Sequence, residues 1–266
     1  MTNLTGRPDI AEMANEWFYL LLKSITPAER TTTEVDGILR LCELNNIVPP
    51  DKNNFKILDS CCGYGRHAIE LSARGFQDIA GIDLSPTLIG KARDKIKNKL
   101  NTKTYPEFTV GDILEMPYND SSFDLVLNLW TSFGLYSDED NKRCLKEINR
   151  VLEEGGFIFF DLHNLNHFLT SGRLGHHFYK DGSLLYLEDV SYEPLTGREE
   201  NNAEFYYKGK LKHSFFLSVR RYTFTEFKSL LEETGFEFIS VYGDFDGSPF
   251  SVSPSSKRMI VIAQKS

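Results

Sequence analysis

Short apolar runs alternate with amphipathic stretches along most of this chain. Phe55, Ile57 and Leu58 form an apolar run bounded by polar residues, which predicts a buried strand ending at Asp59. Small residues follow, with Gly63 and Gly65 two apart, and then Ala68, Ile69, Leu71 and Ala73 at helical spacing. The pattern repeats. Residues 79–82 predict a second strand with Asp83 at its end, and residues 108–110 a third that runs into Gly111-Asp112-Ile113. A fourth reads FDLVLNLW from Phe123, a fifth FIFFDLHN from Phe157, and the sixth and seventh cover 236–242 and 258–263. Helices are predicted between them: 86–100 with Ser85 as N-cap, 138–153 turned by Gly155-Gly156, and 226–234 capped by Thr223 or Thr225.

Two stretches stand outside this alternation. Residues 1–54 read as helical, with an apolar face over 11–22, a break at Pro27, a second helix over 31–42 and a linker holding Pro49-Pro50. Residues 175–222 carry short alternations, LLYLEDVSY, EFYYKGKL and SFFLSVRRYT, separated by turn residues, which predicts an antiparallel meander. The expected organisation is an α/β domain over 55–174 and 223–266, an N-terminal helical lid over 1–54, and the meander as an insertion capping the acceptor site or forming a dimer surface.

Composition narrows the partners. The chain has 266 residues, 41% hydrophobic, with a formal net charge of -8 and no run of Lys or Arg. A nucleic-acid partner is disfavoured on that balance. The basic positions Lys91, Arg93, Lys95, Lys97 and Lys99 read as a solvated helix face. The four cysteines form no C-x-x-C pair, so no metal site and no disulfide framework is expected. Cys61 could be a nucleophile, but small residues are also what a loop under a ligand requires. No apolar run of membrane length and no signal peptide is read, so a cytoplasmic protein without membrane contact is expected.

Strand, glycine turn and helix open a nucleotide-binding unit, because glycines let the backbone turn tightly and approach a ligand. Asp83, about 20 residues beyond the glycines, is placed to take both hydroxyls of a ribose. Gly63, Gly65 and Ala68 also satisfy the G-x-G-x-x-A nicotinamide fingerprint, and a bare structural turn needs no ligand. Three further features separate these readings: Asp59 ahead of the glycines, Asp112 after the third strand, and FDLVLNLW as the fourth. Together they resemble the class I S-adenosylmethionine-dependent methyltransferases. The resemblance implies a Rossmann-like sheet of seven strands in the order 3-2-1-4-5-7-6, strand seven antiparallel, with helices on both faces. It places Asp59, Cys61, Gly63 and Gly65 under the methionine part of S-adenosylmethionine, Asp83 at the ribose, Asp112 and Ile113 at the adenine, and the Leu129 backbone at the methionine, with Leu84 a further cofactor-binding position. Arg30-Thr31 resembles glycine N-methyltransferase and its relatives, where an arginine so placed pairs with the cofactor's carboxylate. Tyr19, with Trp17 and Phe18, either packs in the core or belongs to a lid over the cofactor, and Tyr19 is taken as a cofactor-binding candidate.

For the acceptor side the candidates are His163, Tyr207, Tyr222, Asp244 and Asp246. Asp161 and His163, two apart on an extended segment, point to one side. They could form an acid–base pair or a hydrogen-bonded rim. In the loop GDFDGSPF, Asp244 and Asp246 either cap turns or line an acceptor pocket beside Tyr207 and Tyr222, which would suit an amine. The expected activity is methyl transfer to an O or N nucleophile of a small-molecule acceptor, by a monomer or homodimer. An RNA or protein methyltransferase and a non-catalytic nucleotide-cofactor-binding protein are the alternatives.

Overall fold

The computed structural model describes residues 10–49, 51–97, 105–253 and 255–266. Three helices come first: α1 (Ile10–Met13), α2 (Glu16–Ile25) and α3 (Ala28–Leu44). The alternating region follows as β1 (Lys56–Ser60), α4 (Arg66–Ala73), β2 (Asp78–Asp83), α5 (Pro86–Lys97), β3 (Glu107–Val110), β4 (Phe123–Asn128), α6 (Asp138–Val151) and β5 (Leu152–His163). After α7 (Leu165–Thr170) come β6 (Gly175–Asp181), β7 (Leu184–Glu193), β8 (Arg198–Tyr207) and β9 (Lys210–Arg220), and then α8 (Phe224–Glu232), β10 (Phe236–Tyr242) and β11 (Arg258–Lys265).

Seven strands form one sheet in the order β10-β11-β5-β4-β1-β2-β3. All neighbours are parallel except β11, which runs antiparallel to both β10 and β5. This is the expected order, with β11 as the seventh strand. Near-continuous apolar runs suit strands covered on both faces. On one face Leu145, Ile148, Phe227 and Leu231 pack from α6 and α8 against Phe160 and Val261. On the other, Val35, Ile38, Ala68, Leu71 and Ile89 pack from α3, α4 and α5 against Ile57 and Phe159. Burying each such side chain contributes roughly 1.5–3 kcal/mol before chain entropy is set against it.

Several boundaries differ from the sequence reading. The stretch read as one helix over 11–22 is broken at Asn15, whose side chain accepts from the Trp17 and Phe18 N–H groups and so starts a new helix. Gly155-Gly156 does not turn the chain from helix to strand. α6 already ends at Val151, and both glycines lie inside β5, Gly155 at φ 75, where the register against β4 shifts. The fourth strand ends at Asn128, and Leu129 and Trp130 leave its C-terminal end as the sequence implies. Thr223 caps α8 in a capping box with Glu226. Parts of three readings, 1–9, Pro50 and 98–100, lie outside the described residues.

Strands β6 to β9 form a separate four-stranded antiparallel sheet. Its inner face, Leu184, Tyr186, Ala203 and Phe205, packs on Leu21 of α2 with Trp17 and Phe18 alongside. The far side of α2 carries Tyr19 and Leu22 onto Tyr64 of the β1–α4 loop and Leu88 of α5. At the other end of the meander the Arg220 N–H donates to the Gly134 carbonyl at 2.8 Å. A Cβ on Gly134 would stand 2.5 Å from the Arg220 carbonyl oxygen, so this close approach requires glycine.

Candidate functional site

The loop from Cys61 to Gly65 joins β1 to α4 with three residues at positive φ: Cys61 at 59°, Gly63 at 55° and Gly65 at 71°. The two glycines are needed for different reasons. A Cβ on Gly65 would meet the Phe108 ring, 2.6 Å from Cε1, and Ala92 at 3.0 Å. A Cβ on Gly63 would find nothing nearer than Leu88 Cδ1 at 3.9 Å. Gly65 therefore answers to packing, and only Gly63 opens onto a cradle. Asp83 locks the loop to β2: the Gly63 N–H donates to its Oδ2 at 2.8 Å and the Ser85 N–H to its Oδ1 at 2.9 Å. Burial pushes this carboxyl up, and the two backbone donors oppose that. Beneath the loop, Asp59 is 1% exposed, and its Oδ2 has no hydrogen-bond partner. Burial pushes its carboxyl up to about 7, against the pull of Arg66 and the Ala68 N–H. The Cys61 thiol is pushed well above its ordinary range by burial and by Asp83, so a thiolate nucleophile is not formed there. At the third strand, Asp112 Oδ1 accepts from the Leu114 N–H at 2.9 Å, and the Gly111 N–H donates to the Asp83 carbonyl at 3.0 Å. Leu84 is half-buried beside Asp83, and Ile113 and Leu129 are buried in the core.

Next to this cradle stands a buried carboxylate with four close partners and Arg258 beyond them at 3.8 Å. Glu34 of α3 pairs with Arg66 at 2.5 Å, His67 Nε2 at 3.0 Å and Arg30 Nε at 3.1 Å, and accepts from the Trp130 indole Nε1 at 3.0 Å. Burial would raise the Glu34 carboxyl, but His67 and Arg66 outweigh it and hold it well below the carboxylate range. The Trp130 ring lies between two guanidinium groups, Arg30 at 4.6 Å and Arg66 at 4.7 Å from its centroid. Arg66 Nη2 is buried and has no hydrogen-bond partner. Arg30 is more exposed and also donates to the Ile25 carbonyl at 3.2 Å. Tyr19 meets Tyr64 edge to face at 5.5 Å, and so closes the loop from the helical side.

The acceptor-side candidates do not converge. Tyr207 and Tyr222 flank opposite ends of β9, whose 11 residues span about 36 Å, so they share no pocket. Tyr207 packs on Trp17 at 5.7 Å. Tyr222 is buried among Phe133 and Phe227 and accepts from Asn141 Nδ2 at 3.1 Å. Burial and Asp138 push its phenol up to about 12. Asp246 is exposed and accepts the Ser248 N–H at 2.8 Å, an ordinary turn cap. Asp244 accepts the Phe245 N–H at 2.8 Å and lies 3.9 Å from Arg258. Phe245 is buried against Phe159, and Gly37 of α3 gives it room. Asp161 and His163 do not pair. Asp161 is buried, binds Arg258 and accepts the Trp130 N–H at 3.0 Å. His163 stands in a cleft, ringed by protein yet open to solvent. That crowding, with Arg221, Arg258 and Arg173 nearby, pushes its imidazole well below the ordinary range, so it is neutral.

Residues 57–156 match the family model of the methyltransferase domain. This stretch is a methyltransferase domain. Over 199 residues, 71% of its length, the chain is 29% identical to a glycine/sarcosine/dimethylglycine N-methyltransferase of Actinopolyspora halophila. Over 109 residues, 40% of its length, it is 36% identical to a demethylmenaquinone methyltransferase of Staphylococcus aureus. The aligned segments span 32% and 42% of those relatives. In fold the chain is similar to an S-adenosylmethionine-dependent methyltransferase from Clostridium acetobutylicum. The TM-score is 0.76 and the identity 20%, over 93% of this chain and 97% of that one.

The cofactor of such a methyltransferase domain is S-adenosylmethionine, and the residues present suit it. Its amino-acid end carries a carboxylate and an ammonium group. Between β1 and α4 the domain offers an unmatched buried donor, Arg66 Nη2, and an unmatched buried acceptor, Asp59 Oδ2, beside the open face of Gly63. Sequence reasoning reached Asp59, Gly63 and Asp83, and Trp130 as a residue that either covers a ligand or packs, but missed Glu34, Arg66, His67 and Arg258. The one signal for Arg66 was its place directly after Gly65.

Proposed function

We propose that this chain transfers a methyl group from S-adenosylmethionine to an O or N nucleophile of a small-molecule acceptor. The observation that carries this reading is the cradle at Gly63, with Asp59 and Arg66 each holding one unmatched buried polar atom beside it. Asp83 would hold the ribose: a carboxylate has about four lone-pair directions, and the two backbone donors leave capacity for two hydroxyls. Asp112 and the Ile113 backbone would meet the adenine, Leu84 and the Leu129 backbone would line the cofactor, and Arg66, with Arg30 behind Trp130, would face the carboxylate. Cys61 forms part of the loop floor and Gly65 fixes its path.

When bound, the cofactor supplies an electrophilic methyl group on a sulfonium. The chain's part is to align the acceptor and exclude bulk water. Helices α1 and α2 form a lid, while α3 belongs to the layer that covers the sheet, and the meander, clamped on α2, forms a cap; such an enclosure favours a small acceptor over RNA or protein. An amine acceptor needs only to lose a proton, which bulk water can take; His163, its imidazole pushed well below the ordinary range, is a poor base for that step. The two named relatives act on a small amine and on a quinone precursor, which is consistent with a small acceptor in either case. Calorimetry with S-adenosylhomocysteine and NAD side by side tests the cofactor. A screen of small acceptors with labelled S-adenosylmethionine, read by mass spectrometry, tests the transfer. Binding of NAD instead, or labelled RNA or protein as the sole product, would overturn the reading.

A further inference from the structure

A narrow cleft lies where the ends of β4 and β5 meet the root of the meander. It is lined by Thr131, Leu162, His163, Arg221, Tyr222 and Met259, among others. Its volume of about 10 Å³ admits the end of a ligand, not its body. Its position is informative. Ligands of open α/β sheets bind outside the carboxyl ends of the strands, and β4 lies between β1, which carries Asp59 and the glycine loop, and β5. The cleft is therefore on the side of β4 away from the cofactor cradle, where a second reactant has to approach.

Three buried polar atoms in its lining have no hydrogen-bond partner: Thr131 Oγ1, Arg221 Nη1 and Arg220 Nε, the last 3.9 Å from Asp138. The Arg221 side chain is only 7% exposed. Its Nε donates to Glu199 at 2.7 Å and its Nη2 donates to the same carboxylate, which fixes the guanidinium plane and leaves Nη1 over. Leaving a buried donor unmade is costly, more so for a charged group, so this arrangement asks for an oxygen from elsewhere. The cations near the cleft are largely matched already: Arg220 by Glu226, Arg221 by Glu199, Arg173 by Glu188 and Arg258 by Asp161. That balance suits a singly charged group better than a dianion, and gives no anchor for a cation. Of the acids read as support for an amine pocket, Asp246 caps an exposed turn and Asp244 is engaged by the Phe245 N–H and Arg258.

We propose that this cleft binds a carboxylate carried by the methyl acceptor, with Arg221 Nη1 and Thr131 Oγ1 donating to it and His163 alongside. Arg221 and Thr131 are then specificity-determining residues, and the acceptor class is a small molecule bearing a carboxylate apart from its O or N nucleophile. This rests on the proposed methyl transfer, and the test separates the two. Calorimetry with S-adenosylhomocysteine comes first; if it does not bind, the methyltransferase reading fails and this proposal with it. On the S-adenosylhomocysteine-saturated chain, acetate, inorganic phosphate and methylammonium are then titrated at matched ionic strength while the His163 imidazole resonances are followed, assigned by their loss in His163→Gln. Acetate should shift them saturably, with phosphate and methylammonium at least tenfold weaker. Arg221→Lys keeps the charge beside Glu199, and Thr131→Val keeps the shape. Each should weaken acetate at least tenfold and leave S-adenosylhomocysteine affinity within twofold. No saturable response to acetate, equal response to phosphate or methylammonium, or unchanged acetate affinity in both variants would overturn it.

Discussion

The indole Nε1 of Trp130 donates to Glu34 Oε1 at 3.0 Å and so ties the loop after β4 to α3. That loop is conformationally costly. Trp130 and its neighbour Thr131 both sit at positive φ, 62° and 56°, which is uncommon for residues with a Cβ. Glu34 holds the indole, while Asp161 takes the Trp130 N–H on its side chain and the Thr131 N–H on its carbonyl. Removing the Glu34 charge leaves Arg66 and His67 buried without their partner. Glu34→Gln should therefore destabilise the chain by roughly 3 kcal/mol in urea unfolding. The pH dependence follows from a carboxyl held low in the folded state. Its stabilisation is present above the ordinary value of 4.5 and lost as pH falls below that. The parent chain should thus lose more stability below pH 4.5 than the Gln variant does, and parallel pH profiles would show that Glu34 is not the anchor.

Why Glu34 escaped a reading of the sequence is physical. The strands were legible because burial on two faces demands continuous apolar runs, as in Leu125, Val126 and Leu127 of β4. Asp59 and Asp83 were legible because each ends such a run. Glu34 sits on an amphipathic helix, and its partners are 32, 33 and 96 residues away at Arg66, His67 and Trp130. No local pattern encodes that convergence. Tyr207 and Tyr222 show the reverse error: similar residues near one insertion looked like neighbours, but β9 runs the length of the meander between them.

Asp59 should carry a conflict between stability and binding. Its carboxyl is pushed up to about 7 by burial, so the stability linked to it is full below the ordinary value of 3.8 and is lost as pH rises through 7. Asp59→Asn removes the charge and keeps the shape. At pH 8, without ligand, the variant should melt higher than the parent, by about 5 °C for roughly 2 kcal/mol. Its affinity for S-adenosylhomocysteine should fall at least tenfold. A variant that melts higher and binds equally well would take Asp59 out of the cofactor site.

Asp83 should show both a ligand effect and a loop effect. Charge-assisted hydrogen bonds contribute roughly 1.5–3 kcal/mol each. Asp83→Ala would lose those to a ribose and also those to the Gly63 and Ser85 N–H groups. S-adenosylhomocysteine affinity should drop tenfold or more. Hydrogen exchange at Gly63 and Ser85 should also quicken in the unliganded variant. Unchanged affinity removes the ribose assignment.

The two acids of the loop after β10 should behave differently. Asp246 is exposed and only caps a turn, so Asp246→Asn should leave melting temperature and methyl transfer near the parent values. Asp244 touches Arg258, which binds Asp161 behind the Trp130 loop. Asp244→Asn should lower methyl transfer through that chain while S-adenosylhomocysteine affinity stays within about twofold. Equal loss in both variants would mean that the loop itself contacts the acceptor.

The glycines of the β1–α4 loop offer the sharpest separation of fold from ligand. Gly65 has φ 71 and faces the Phe108 ring and Ala92, so Gly65→Ala must strain the backbone and push into packed atoms. It should lose several kcal/mol of stability, on the order of 3, before any ligand is added. Gly63 also has positive φ, 55°, but its missing Cβ points toward open space, with Leu88 Cδ1 at 3.9 Å as the nearest atom. Gly63→Ala should cost only about 1 kcal/mol of backbone strain and remain folded. The added methyl group then occupies the space in which the cofactor's amino-acid end would lie, between Asp59 and Arg66. S-adenosylhomocysteine binding should fall by more than tenfold in a protein whose circular dichroism and melting are close to the parent. A folded Gly63→Ala chain that binds S-adenosylhomocysteine at parent affinity would place the cofactor elsewhere, and the unmatched atoms of Asp59 and Arg66 would need another explanation.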